Sequence, residues 1–148
     1  MTTPLQHSEE MAYYLGDFEG LKNGEVRANE WSVLYATIRA GLPVRNARIM
    51  RERVSPRVFD RSVIPRTTLS SKGNTGRLST AQSERAVRIG RVYARAAEVF
   101  GDRERGRTWM DRANRTLDGR TPAELLDNEA GARYVEELLG QLEHGIAA

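Results

Sequence analysis

The chain contains no cysteine. That excludes disulfides, thiolate metal sites and thiol nucleophiles together, and it agrees with a reducing compartment. Histidine is nearly as scarce: His7 and His144 are the only two. Neither has a carboxylate or a second histidine at a spacing that makes a ligand set or a base–nucleophile pair, so both are expected on the solvent-exposed surface. Glu136 and Glu137 are adjacent and diverge on a helix, whereas paired acid–base carboxylates must converge. Gly73-Asn74-Thr75-Gly76 follows no strand and lacks the Gly-Lys-Ser/Thr ending of a phosphate loop. A non-enzyme without metal or cofactor is therefore expected. No apolar run approaches the ~18 residues of a membrane span. The first ten residues also lack the basic-then-apolar pattern of a secretory leader. A soluble cytoplasmic protein with no membrane partner is the expectation.

What is present is charge, and it is segregated. The 148 residues suffice for one ordinary domain or two small ones. Residues 1–44 hold 3 basic and 6 acidic side chains, and residues 45–77 hold 9 and 2. Residues 78–120 hold 10 and 6, and residues 121–148 hold 1 and 6. The basic middle is built of arginine, with Lys72 its only lysine. Guanidinium suits phosphate or carboxylate recognition, although a solvated basic face gives the same count.

Helix signals recur along the whole chain, and an all-α fold is expected. Ser8 to Leu15 can form a short helix. Trp31, Leu34, Tyr35 and Ile38 repeat at helical spacing and predict an inward stripe that ends at Gly41 and Pro43. Val44 to Arg53 follows with Val44, Ala47 and Met50 inward. Ser55-Pro56 predicts a cap and first position for the next helix, and Val63-Ile64-Pro65 breaks it. Arg66 to Lys72 can be one more short helix, after which Gly73 to Arg77 is expected as a flexible hinge between two units. Ser79-Thr80-Ala81-Gln82 fits a capping box opening the strongest helix, with Ile89, Val92, Tyr93, Ala96, Val99 and Phe100 inside and Arg88, Arg91 and Arg95 outside. Gly101 ends it, Asp102 caps a shorter helix with Trp109 and Met110, and Thr121-Pro122-Ala123-Glu124 starts another turn. Asp127 is expected to cap the last helix, whose stripe is Gly131, Val135, Leu138 and Leu142, with Gly145 closing it.

Two stretches carry candidate function. Three short helices between Val44 and Lys72 have the size and layout of a helix-turn-helix whose last helix enters a major groove. Arg66, Thr67, Thr68, Ser70, Ser71 and Lys72 would then meet DNA, with Arg57 on the helix before. Arginine can read guanine edges, and hydroxyls and lysine can hold phosphates. In the C-terminal block the leucines at 125, 126, 138, 139 and 142 exceed one narrow stripe. Pattern alone leaves open whether they face a partner or the core.

An ordered series of motifs then comes into view. Ile64-Pro65-Arg66-Thr67-Thr68-Leu69 leads to Arg77-Leu78-Ser79, Ser83-Glu84-Arg85, Arg88-Ile89 and Ala97-Glu98-Val99-Phe100-Gly101. Trp109-Met110, Gly119-Arg120-Thr121-Pro122, Leu125-Leu126-Asp127, Glu129-Ala130-Gly131 and Val135-Glu136-Glu137-Leu138-Leu139 follow. This series resembles the Xre/MbcA/ParS-type antitoxins over roughly residues 41–146, and Gly41-Leu42-Pro43 fits the start of their helix-turn-helix part. The resemblance implies an Xre-like helix-turn-helix unit at 41–76 and a helical toxin-binding domain at 77–148, and it leaves outside the match an N-terminal helical segment at 1–40.

The resemblance also implies partners. They are a cognate RES-domain toxin that consumes NAD, or a related ADP-ribosyltransferase toxin, and operator DNA in autorepression. Carried onto this chain, toxin contact falls on Arg133, Tyr134, Glu137, Leu138, Gln141, Leu142, His144, Gly145, Ile146, Ala147 and Ala148. Inhibition would be steric, and an acidic C-terminal block would suit a basic cleft. Relatives often place arginines where this chain has Ser70 and Ser71, so two phosphate-capable cations are missing. Useful DNA affinity would then need a dimer or a toxin-bridged assembly with two half-sites sharing the work, and a homodimer within a larger toxin–antitoxin complex is the expectation. The rival reading is a DNA-binding repressor whose C-terminal domain only dimerises.

Overall fold

The computed structural model describes residues 7–21 and 30–145. Among them lie eight α-helices: His7–Tyr14 (α1), Glu30–Ala40 (α2), Val44–Val54 (α3), Pro56–Ser62 (α4), Arg66–Ser71 (α5), Thr80–Phe100 (α6), Arg103–Met110 (α7) and Glu129–Glu143 (α8). Short 3-10 turns occupy Glu19–Leu21, Arg115–Leu117 and Pro122–Asp127. The described residues hold no strand, only an isolated bridge between Pro43 and Arg77. The fold is all-α, as the periodicity predicts.

The capping chemistry acts where the sequence places it. Ser55 Oγ accepts the amide of Val58 with Pro56 at the first position of α4. Ser79 and Gln82 close a reciprocal box, the Gln82 amide donating to Ser79 Oγ (3.1 Å) and the Ser79 amide to Gln82 Oε1 (2.9 Å). Asp102 caps α7, and Gly101 ends α6 in the left-handed region with φ 70°. The last helix differs by one residue. Asp127 closes the preceding 3-10 turn, and Asn128 is the cap, its Oδ1 accepting the Gly131 amide at 3.0 Å.

α6 is the spine. It buries Ala86, Ile89, Val92, Tyr93, Ala96 and Ala97, and α1, α2, α3, α7 and α8 all pack against it. One continuous apolar cluster runs from Met11 in α1 through Met50, Phe59 and Leu69 to Val135 and Leu139 in α8. Residues 7–14 therefore belong to the same core as the C-terminal helices. Glu10, almost wholly buried, binds Arg103 of α7 (2.7 Å), whose guanidinium lies 3.6 Å over the Tyr13 ring.

Three expectations change here. The stretch expected as a flexible hinge is tied down: Val44 donates to Gly76 O, Leu78 to Leu42 O, and Arg77 Nη1 to Gly41 O. The stripe on α2 is rotated, so that Val33, Leu34 and Ile38 pack on the core while Trp31 and Tyr35 are 72% and 58% exposed. His7 is not a bare surface residue either. Its Nδ1 lies 2.8 Å from Glu98 and its Nε2 3.2 Å from Glu30, joining α1, α2 and α6.

Candidate functional site

The first candidate surface is the outside of α8. Asn128 starts this helix and Gly131 seats it, because a Cβ at that position would collide with the Leu125 carbonyl oxygen. Ala132, Val135 and Leu139 then turn into the core. On the opposite side Arg133, Tyr134, Glu137, Gln141 and His144 are exposed and fall on one face by their 3.6-residue spacing. Tyr134 is 43% exposed, large and amphipathic, the kind of side chain that anchors an interface. Ala130 completes the face one turn earlier, and counting back from Tyr134 by four would have found it.

The structure does not bring all the expected contacts to that face. Leu138 is only 8% exposed, so this chain's own packing uses it, contrary to its expected place against a partner. Leu142 is half-buried. Gly145 follows α8 with φ 69°, while Ile146, Ala147 and Ala148 lie outside the described residues.

The electrostatics of α8 also depart from expectation. Arg88, Arg91 and Arg95 were expected to point outward, yet they form a ladder between α6 and α8. Arg88 is 9% exposed and holds Glu84 (2.8 Å) and Glu129 (3.2 Å). Arg91 takes Glu136 at 2.9 Å and Arg95 takes Glu143 at 2.7 Å. The Arg95 hydrogen bonds hold the Glu143 carboxyl below its ordinary range. Glu129, Glu136 and Glu143, half of the acidic residues counted beyond residue 120, are thus directed at the chain's own arginines. The outer face is left near-neutral, with Arg133 and Glu137 as its charges and Tyr134 along one edge.

The second candidate surface is α5 with its neighbours. Leu69 is buried and anchors α5, while Arg66, Thr67, Thr68, Ser70 and Ser71 are exposed on its outside. Ser71 Oγ donates to Thr68 O (2.8 Å), and Lys72 Nζ donates to Arg77 O (3.2 Å). Arg66 and Ser70 share a hollow of about 180 Å³ with Arg48, Arg51 and Glu52. Arg57 is exposed but lines a different hollow with Arg61, facing Asp111 and Glu124, so it is not assembled with α5.

Much of the arginine cluster in α3 is structural. Arg48 binds Asn74 Oδ1 (2.6 Å) and Lys72 O, and Arg51 binds Asp60 (2.7 Å). Arg53 binds Asp17 and lies over Tyr13. The Arg51 hydrogen bonds keep the Asp60 carboxyl below its ordinary range. Arg45, Arg57, Arg61 and Arg66 stay exposed. The net charge of the segment therefore overstates what it can offer a phosphate backbone.

Comparison with known proteins bears on these surfaces. Residues 95–145 match the Antitoxin Xre/MbcA/ParS C-terminal toxin-binding domain, a span that includes all of α7 and α8. The chain is 39% identical over 85 residues to an Antitoxin Xre of Yersinia enterocolitica serotype O:8 / biotype 1B, covering 56% of this chain and 57% of that protein. An Antitoxin Xre of Photorhabdus laumondii is 39% identical over 74 residues, 49% of this chain and 50% of that protein. One of Pseudomonas putida is 31% identical over 84 residues, 56% of this chain and 53% of that protein. The chain thus matches about half the length of these curated relatives. The resemblance to Xre/MbcA/ParS-type antitoxins read from the motif series is borne out.

Proposed function

We propose that the chain is the antitoxin of a type II toxin–antitoxin pair and that it engages the toxin with the outer face of α8. One observation carries this reading: Arg133, Tyr134, Glu137, Gln141 and His144 present one continuous exposed face inside the segment that matches a toxin-binding domain. The chain acts without catalysis of its own. The toxin is of the RES-domain, NAD-consuming kind or a related ADP-ribosyltransferase. A helix lodged at the mouth of a dinucleotide cleft, with residues 145–148 following it, would exclude substrate sterically. Because the exposed face is near-neutral, recognition rests on Tyr134 and the polar contacts around it rather than on bulk negative charge.

Operator binding through α5, and autorepression by a homodimer within a larger toxin–antitoxin complex, form the second part of the proposal. Its support is the exposed row of Arg66, Thr67, Thr68, Ser70 and Ser71 on a helix anchored by Leu69. Co-expression tests the first part. Cells carrying the product of the adjacent gene should survive when the whole chain is present and should die when Tyr134 is changed to Asp. Survival that does not depend on the chain would overturn the antitoxin reading and favour the repressor whose C-terminal part only dimerises.

A further inference from the structure

Among the described residues, three large apolar side chains are conspicuously exposed, and two of them, Trp31 and Tyr35, stand one turn apart on α2. The other side of α2 is occupied, with Val33, Leu34 and Ile38 on the core and Thr37 buried. Trp31, Tyr35 and Arg39 fall at i, i+4 and i+8, a single row along the helix. Beside it Ser32, Ala36 and Ala40 form a second exposed row of small side chains at the same spacing. Tryptophan, tyrosine and arginine are the side chains that most often dominate interfaces, and a small-residue row lets a second helix approach closely.

The chemistry of the row is directional, aromatic at its start and centre and cationic at its end. Arg39 already leans on Tyr35, with its guanidinium carbon 5.9 Å from the ring centroid and Nη1 3.4 Å from the hydroxyl. No ion pair of Arg39 occurs among the described residues, so its charge is not neutralised by an acid there. Laid parallel on a copy of itself, α2 would set Arg39 against Arg39. Laid antiparallel about an axis beside Tyr35, it sets each Arg39 over the other copy's Trp31, a cation–π contact made twice, and opposes the two helix dipoles.

We infer that the exposed face of α2 pairs with the same face of a second copy of this chain, antiparallel and centred on Tyr35. This deepens the homodimer of the proposed function, yet it rests on α2 alone and needs neither toxin nor operator. A single short helix from each copy makes a small contact, at or below the low end of about 1,200 Å² for stable interfaces, so association should be weak and concentration-dependent. A second tether such as two adjacent DNA half-sites would strengthen it.

Sedimentation of the whole chain without partners tests the pairing. The mass should rise with concentration from 16.7 kDa toward twice that value. Tyr35→Asp should raise the dissociation constant at least about tenfold with an unchanged thermal melt, because the side chain lies outside the core. The cysteine-free sequence makes the orientation testable as well. Tyr35→Cys should form a disulfide-linked dimer on oxidation. Trp31→Cys should not, since two copies of that position would stand about 12 Å apart along antiparallel helices. A chain that stays monomeric at all concentrations overturns the inference, as does linking at position 31 as readily as at position 35. Neither result touches neutralisation through α8, so the two readings fail separately.

Discussion

His7 joins three helices through two carboxylates and so couples the start of the chain to α6. Its imidazole has a pKa raised above 6.5, chiefly by the hydrogen bond to Glu98 and despite its partial burial. A group whose folded pKa exceeds its unfolded value stabilises fully below the unfolded pKa, and that contribution is lost as pH rises through the folded pKa. The chain should therefore melt higher near pH 6 than near pH 8, about the reference range of histidine. His7→Gln should flatten that difference in a series of melts across pH, and an unaltered slope in the variant would assign the pH dependence elsewhere. Gly131 is the second informative residue. Alanine would ordinarily favour a helix by about 1 kcal/mol. Here its Cβ would strike the Leu125 carbonyl, so Gly131→Ala should cost about 1–3 kcal/mol in denaturant unfolding instead.

At the scale of elements, α8 and α5 divide the surface between two different demands. α5 offers hydroxyls and one arginine, Arg66, on a helix of six residues. Arg66→Ala should weaken operator binding and relax base preference by about 1–3 kcal/mol of discrimination, read in gel shifts at fixed salt. Arg51→Ala should instead lower stability, because that guanidinium holds Asp60 between α3 and α4. The element boundaries were legible in the sequence wherever local chemistry sets them. Ser55, Ser79, Asp102 and Gly101 cap or end helices through their own neighbours, and those ends fall where they were expected. What could not be read is whatever depends on a residue distant in sequence. Trp31 and Tyr35 share the spacing of a core stripe, and only the angle at which α2 meets α6 decides that Val33 and Ile38 turn inward. The arginines of α6 look solvent-facing until the carboxylates of α8, some forty residues on, are placed against them. His7 pairs with Glu98, which only folding brings to it, and not with Glu10, which stands at helical spacing from it but binds Arg103. The exposure of Arg133, Tyr134, Glu137 and Gln141 on α8 follows from helical spacing, whereas that spacing does not separate the edge of a core from an interface and so could not show that Leu138 is only 8% exposed.

Taken as a whole, the molecule is one core carrying three outward surfaces, on α2, α5 and α8. Charge segregation along the sequence suggested a basic half and an acidic half, each meeting its own partner. The fold instead turns much of that charge inward, Arg88, Arg91 and Arg95 against the carboxylates of α8, and Arg51 and Arg53 against Asp60 and Asp17. Among what remains outside are the near-neutral α8 face with Tyr134, the short α5 row with Arg66 and the aromatic row of α2, on three separate helices. The proposed activities should therefore be separable by single substitutions that leave the core alone. The most direct measurement is NAD consumption by the purified product of the adjacent gene, titrated with the whole chain. Inhibition should saturate at a fixed stoichiometry, persist with Arg66→Ala, and weaken at least about tenfold with Tyr134→Asp at an unchanged melting temperature. A toxin left fully active at saturating chain, or inhibited equally by the Tyr134→Asp variant, would contradict the account.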